Sequence, residues 1–178
     1  MFGLQAVDAI YMDYAATTPV APEVAATMQA ALTDFGNPSS SHAWGTAADA
    51  HVDVAAAALG AAMGVAPDTL VWTSGATESD NLAIIGAARY RAARGKHVIT
   101  SRTEHKAVID ACKQLEREGF EVTWLTPDAD GRVTPEALAG ALRDDTVLVS
   151  LMWVNNEIGT INDIRALAGV VADHDALF

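Results

Sequence analysis

From Leu70 onward, the sequence alternates between short apolar runs and longer segments with helical spacing. The apolar runs predict strands and read LVWTS, HVITS, EVTWL and TVLVSLMWV in chain order. The segments between them predict helices; in KAVIDACKQLEREG, for example, Val108, Ala111, Cys112 and Leu115 share one helical face. Strands that alternate with helices form βαβ units. The pattern therefore predicts an α/β fold with a mostly parallel sheet and helices on both faces.

The first 70 residues favour loops and helices. Pro19 and Pro22 exclude the segment before Glu23 from a helix interior. A helix is predicted over residues 23–33. A long alanine-rich helix is predicted from about 42 to 63, and Gly64 suits its C-terminal end.

The last third of the chain carries two more helix signals and the start of a strand. Thr134 and Pro135 suit the N-cap and first turn of a helix through Leu142, and INDIRALAGVVADHDA predicts a further helix. The chain ends at Leu177 and Phe178 just as another strand begins. We interpret it as a fragment or as one piece of a split protein, with an incomplete sheet.

Charge and composition exclude several classes of partner. The net charge of −12 argues against nucleic acid, because phosphate neutralisation needs clustered Lys and Arg. No apolar run reaches the roughly 18 residues that span a bilayer, and the N-terminus lacks the features of a signal peptide. The lone Cys112 forms no internal disulfide, and no Cys/His spacing suits a metal. We expect a soluble cytoplasmic protein with no membrane, nucleic-acid or metal partner.

Polar clusters follow three of the predicted strands. TSGATESDN follows the first strand, SRTEHKA the second and VNNEIGT the fourth. Ligands of open α/β sheets bind outside the carboxyl ends of the strands, where loops lead into helices. Each cluster alone is a weak signal, and their coincidence at one edge of one sheet predicts a binding site.

The first cluster suits an anion. Gly75 permits a tight turn, after which the amides of Ala76, Thr77 and Glu78 open a helix and the Thr77 hydroxyl adds a donor. Taken alone, the same residues are also consistent with a capping turn between Thr77 and Asp80 at the helix start.

The other two clusters supply His105 and an asparagine pair. His105 suits a stacking group or a proton shuttle, or alternatively a surface histidine at a helix start. Asn155 and Asn156 suit donors to a ligand oxygen, or alternatively caps of the next turn. The other four histidines have weaker claims, and Cys112 fits core packing better than a nucleophile.

Together these clusters resemble cysteine desulfurases of the IscS/NifS type, which are pyridoxal-phosphate (PLP) enzymes of fold type I within the class V aminotransferases. The matching runs are YMDYAATTP, FGNPSSSH, TSGATESDN, ITSRTEHKAV, LEREGFEVTWL and RDDTVLVSLMWVNNEIG. The resemblance implies an N-terminal arm over residues 1–20 and the first half of the PLP-binding large domain over residues 21–178.

The resemblance also implies roles for particular residues. The turn of Gly75, Ala76 and Thr77 would hold the PLP phosphate. His105 would stack on the pyridine ring and help to move protons. Asn156 would contact the cofactor ring oxygen and lie near the substrate carboxylate. The implied reaction converts L-cysteine to L-alanine and leaves a persulfide on a mobile cysteine, for iron–sulfur cluster and thio-cofactor synthesis.

Other residues of the family pattern have no counterpart in these 178 residues. They are the aspartate that pairs with the pyridine nitrogen, the lysine that binds PLP covalently and the persulfide cysteine. The isolated chain is therefore expected to be inactive. The implied partners are a sulfur acceptor or iron–sulfur scaffold, with a second copy in a homodimer or a complementing C-terminal polypeptide. The alternatives are a selenocysteine lyase or related class V enzyme, and a non-enzymatic remnant that acts only by association.

Overall fold

Residues 10–178 are described by the computed structural model of the chain, so the first nine residues of the predicted N-terminal arm lie outside the described range. The chain divides between Trp72 and Thr73 into two units. Within residues 10–178, no helix combines the length and the apolar character needed to cross a membrane.

The first unit is helical where the sequence predicts helices. It contains α1 (Pro22–Ala31), α2 (Ala43–Met63) and a short 3-10 helix (Pro67–Thr69). Gly64 ends α2 in the left-handed conformation, with φ of 70°, and its amide bonds to the Gly60 carbonyl. The predicted C-terminal end of this helix is therefore confirmed.

The second unit alternates helices and strands. Its elements are α3 (Ala76–Tyr90), β1 (His97–Ser101), α4 (Lys106–Arg117), β2 (Glu121–Leu125), α5 (Pro135–Ala141), β3 (Thr146–Val149) and α6 (Ile164–Val171). The Thr134 hydroxyl caps α5 by accepting from the Ala137 amide, as its position before Pro135 predicts.

The strands form a parallel sheet in the order β2-β1-β3, which confirms the predicted parallel α/β class. At its centre, Val98 pairs with Val122 on one side and with Leu148 on the other. A further parallel bridge joins Leu148 to Leu177 on the outer side of β3, with the Val149 amide 2.8 Å from the Leu177 carbonyl. The strand signal at the last residues is thus confirmed.

Successive residues of β1 point to opposite faces of the sheet. Val98 packs in an apolar cluster with residues of α3 and α4, whereas Ile99 packs in a second cluster with residues of α5 and α6. Helices therefore cover both faces, as predicted. Cys112 is fully buried in the first cluster, where burial raises its pKa to about 12, so it behaves as a core residue.

Two strand predictions are wrong. LVWTS is not a strand, and Val71 and Trp72 are 70% and 57% exposed rather than buried. A strand requires a partner for its backbone, and no residue in the described range pairs with residues 70–74. TVLVSLMWV is a strand only over Thr146–Val149, and at Met152 the backbone amide and carbonyl bond to the Glu104 and Asn162 side chains instead of to a neighbouring strand.

His97 is a structural residue at the amino end of β1. It is fully buried, and its ring nitrogens lie 2.7 Å from the Thr146 hydroxyl and 2.8 Å from the Thr123 hydroxyl. Burial lowers its pKa, so the neutral ring is favoured. His97 therefore joins all three strands at the edge opposite the polar clusters, a role that the sequence analysis missed.

Candidate functional site

The turn before α3 has a backbone that glycine alone adopts readily. Gly75 lies at φ 153° and ψ −178° and precedes the first helical residue, Ala76. A Cβ placed on Gly75 would meet nothing within 4 Å, so the requirement comes from the backbone conformation and not from crowding. The turn is therefore open on the side where a Gly75 side chain would project.

Glu78 organises this turn by folding back onto Ser74. Its carboxylate accepts from the Ser74 amide at 2.8 Å and from the Ser74 hydroxyl at 2.6 Å. These two hydrogen bonds lower the pKa of Glu78, so the side chain is ionised at neutral pH. The alternative of a Thr77–Asp80 capping turn is wrong, since no side chain caps the Gly75 end of α3 in that way.

The remaining donors of the turn suit a phosphate. Ala76 and Thr77 are in the first turn of α3, where backbone amides have no acceptor within the helix, and no other described residue accepts from them. The Thr77 side chain is exposed beside them, and the helix end adds a positive potential. An anion fits this donor set, because the Glu78 carboxylate beside it is already engaged by Ser74.

His105 is placed at the start of α4. Its Nδ1 accepts from the Ala107 amide at 3.2 Å, which makes it the N-cap, and its side chain is exposed. Because Nδ1 accepts, the neutral ring carries its proton on Nε2. The histidine is thus both a helix cap and a group with a defined tautomer at the carboxyl end of β1.

Asn155 and Asn156 differ sharply in environment. Asn155 is buried; its Oδ1 accepts from the Glu157 and Ile158 amides at 2.9 and 3.0 Å, and its Nδ2 donates to the Thr103 carbonyl at 2.9 Å. Asn156 is exposed, and its Nδ2 donates to Glu157 at 2.8 Å. Asn155 therefore shapes the turn, and Asn156 lies on its surface, available to a ligand.

The second and third clusters are joined by a residue that the sequence analysis did not single out. Glu104 is only 7% exposed, and its Oε1 accepts from the Met152 amide at 2.8 Å. Burial raises its pKa to about 7, with a further contribution from Asp80 of α3. Its position next to His105, directly after a buried strand, was the available signal. Hydrogen bonds therefore join the second and third clusters at the carboxyl edge of the sheet, and the Asp80 charge of the first cluster acts on the Glu104 carboxyl.

Comparison with known proteins places the chain in a family. The aminotransferase class-V family model matches residues 10–178. The chain is 54% identical to a cysteine desulfurase IscS of Pseudomonas aeruginosa over 173 residues, covering 95% of this chain and 43% of the relative. An IscS of Azotobacter vinelandii matches with the same identity and coverage.

Solved structures agree with these relatives. A structure described as SspA in complex with cysteine matches with a TM-score of 0.90 at 40% identity, covering 94% of this chain and 49% of that one. A NifS-like protein matches with a TM-score of 0.91 at 35% identity, covering 94% and 47%. The chain therefore spans less than half the length of these relatives. Since the family model covers nearly all of its residues, the chain belongs to the aminotransferase class-V family.

Proposed function

We propose that this chain is part of a PLP-dependent cysteine desulfurase of the IscS/NifS type. The observation that carries the proposal is the turn from Ser74 to Glu78, which presents the free amides of Ala76 and Thr77 at the start of a 15-residue helix. The identity to IscS enzymes and the structural likeness to an SspA–cysteine complex support the same conclusion.

The turn at Gly75 and the loops that carry His105 and Asn156 would bind different parts of the cofactor. Gly75, Ala76 and Thr77 would hold the phosphate of PLP through backbone amides and a hydroxyl. His105, with its proton on Nε2, would stack on the cofactor ring and help to move protons. Asn156 would donate to the ring oxygen and lie near the substrate carboxylate. PLP supplies the electron sink when bound, and these residues supply orientation and proton transfer.

The substrate and partners follow from the family proposal. L-cysteine would be converted to L-alanine, with the sulfur passed through an enzyme cysteine to an acceptor or iron–sulfur scaffold protein in the cytoplasm. Residues 1–20 would form an arm and residues 21–178 the first half of the PLP-binding large domain. No lysine in the sequence matches the family lysine motif, so these 178 residues alone are expected to bind the cofactor without turning over cysteine. Turnover would require the residues that carry the family lysine and persulfide cysteine, either within a complete chain that forms a homodimer or in a complementing C-terminal polypeptide.

Cofactor binding by the full chain tests the proposal. PLP is titrated into the wild-type protein and into Thr77→Val, and affinity is read by equilibrium dialysis with inorganic phosphate as a competitor. Loss of one hydroxyl donor to a charged phosphate is expected to weaken PLP about tenfold. Thr27→Val, an exposed threonine on α1, is the matched control and should leave the affinity unchanged.

Two results would count against this proposal. One is a wild-type chain that does not bind PLP at all. The other is a Thr77→Val variant that binds PLP and phosphate as tightly as the wild type.

A further inference from the structure

Two hydrogen bonds, both donated by the loop after β3, join this loop to the loop after β1. The Met152 amide donates to Glu104 at 2.8 Å, and the Asn155 side chain donates to the Thr103 carbonyl at 2.9 Å. We call these two bonds the loop clamp. Each of its side chains directly precedes a residue assigned to the cofactor, since Glu104 precedes His105 and Asn155 precedes Asn156.

The backbone at Met152, which the loop clamp binds, also forms a hydrogen bond to Asn162. The Met152 carbonyl accepts from the Asn162 side chain at 2.8 Å, and the Asn162 Oδ1 accepts from the Val133 amide at 2.9 Å. Asn155 also accepts from two amides of its own turn, as described above. The amide and the carbonyl of Met152 are therefore both hydrogen-bonded to buried side chains. Because Met152 is three residues before Asn155, a shift of the Glu104 side chain would also move the turn that Asn155 forms.

The surroundings of Glu104 do not offset the desolvation cost of burying its carboxyl group. It is 7% exposed, and no basic side chain is bonded to it in the described range. The titratable groups that interact with it electrostatically are Asp80 of α3 and the Cys112 thiol of α4, and neither supplies a compensating positive charge. An amide or apolar residue would fill the position with a smaller desolvation cost.

We propose that Glu104 is a positioning residue, whose carboxyl fixes the loop that carries His105 against the loop that carries Asn156. The inference rests on the proposed function, because it concerns two residues assigned there to the cofactor. It assigns Glu104 no contact with the cofactor. The phosphate turn at Gly75–Thr77 belongs to α3 and is not part of the clamp.

The experiment compares Glu104→Ala and Glu104→Gln with the wild-type chain. Hydrogen exchange at the Met152 amide reports the clamp, and dialysis reports affinity for PLP and for inorganic phosphate separately. Glu104→Ala should raise Met152 exchange about tenfold or more and weaken PLP about tenfold, while phosphate affinity stays unchanged. Glu104→Gln keeps an acceptor oxygen, so it should restore Met152 protection and PLP affinity. It should also abolish any titration of the Met152 amide resonance near pH 7, where Glu104 ionises.

The controls separate positioning from general loss of structure. Glu136→Ala removes an exposed glutamate from α5 and should change none of the readouts. If Glu104→Ala does not fold, Glu104→Asp takes its place, because the shorter side chain withdraws the acceptor while keeping the charge.

Unchanged Met152 exchange in the Ala and Asp variants would overturn the proposal, as would an equal loss of PLP and phosphate affinity. A wild-type chain that binds neither PLP nor phosphate would instead refute the proposed function. The ratio of the Met152 exchange rates in Glu104→Ala and in the wild type would then still show whether Glu104 holds the two loops together.

Discussion

The Glu78 carboxylate accepts two hydrogen bonds from Ser74, one from its amide at 2.8 Å and one from its hydroxyl at 2.6 Å. A carboxylate in this sequence position looks unfavourable beside an anion site. The structure removes the conflict, because the charge is directed at Ser74 and leaves the amides of Ala76 and Thr77 for a ligand.

Removal of the Glu78 carboxylate should loosen the turn. In Glu78→Ala the Ser74 amide loses its acceptor, so its hydrogen exchange is expected to rise about tenfold, since a hydrogen bond to a charged group is lost. Glu23→Ala, which removes the acidic residue in the first turn of α1, is the control and should leave Ser74 unaffected. Equal Ser74 exchange in wild type and Glu78→Ala would show that the turn does not depend on this contact.

Two glycines of α3, Gly75 at its N-cap and Gly86 in its interior, should respond oppositely to alanine. Gly75→Ala forces a side chain into a backbone region that only glycine tolerates, at a cost of about 1–3 kcal/mol in the free energy of unfolding. Gly86 is exposed in the interior of α3 with open space around it, so Gly86→Ala should stabilise the protein by about 0.5–1 kcal/mol. Urea denaturation measures both values. A neutral Gly75→Ala would mean that the turn relaxes into another conformation.

The burial of Glu104 predicts a loss of stability as pH rises. Its pKa is near 7 in the folded chain against 4.5 in the unfolded chain, so the folded state binds more protons between these values. The stabilising contribution is complete below pH 4.5 and is lost as pH rises through 7, by about 3 kcal/mol in total. Glu104→Gln lacks this titration, so its stability relative to wild type should increase over that range in urea denaturation curves. A difference in unfolding free energy between the two proteins that stays constant with pH would contradict the assigned pKa.

His97 predicts the opposite pH dependence. Burial lowers its pKa below 6.5, so the unfolded chain binds more protons and stability is lost as pH falls below that value. His97→Gln carries no ionisable group, and the stability advantage of wild type over this variant should shrink between pH 7.5 and 5. Using the variant as reference isolates His97 from Glu104, whose contribution has the other sign. An advantage that stays constant or grows on acidification would show that the ring is charged in the fold.

Cys112 should resist thiol reagents in the folded protein. Its side chain is fully buried and its pKa is raised to about 12, so both access and thiolate formation are suppressed. Labelling at pH 8 is expected to be at least about 100-fold slower in the native chain than in urea. A Cys112→Ala variant that also carries Ser39→Cys places the thiol at an exposed position and should label rapidly. Rapid native labelling of Cys112 would indicate local opening of α4.

Much of this molecule could be predicted from local pattern. Apolar periodicity gave α4 and its buried face, and the residues Gly64 and Thr134 gave helix ends, because capping depends on a few neighbouring residues. The parallel class of the sheet followed from the alternation of strands and helices. The position of the second and third polar clusters, which follow β1 and β3, agrees with the rule that loops at carboxyl ends of parallel strands converge, whereas the first cluster follows no strand in the described residues.

Other features depended on partners distant in the chain. LVWTS has the composition of a strand, yet composition supplies no neighbour for its backbone, and it is a strand nowhere in the described structure. The buried roles of His97 and Glu104 arise from Thr123, Thr146 and Met152, which are 26 to 49 positions away. The sequence by itself determined which residues could serve a phosphate turn and its flanking loops. Only the tertiary structure decided which of these side chains are exposed and which hold the backbone, because burial and hydrogen-bond partners are set when separate segments pack.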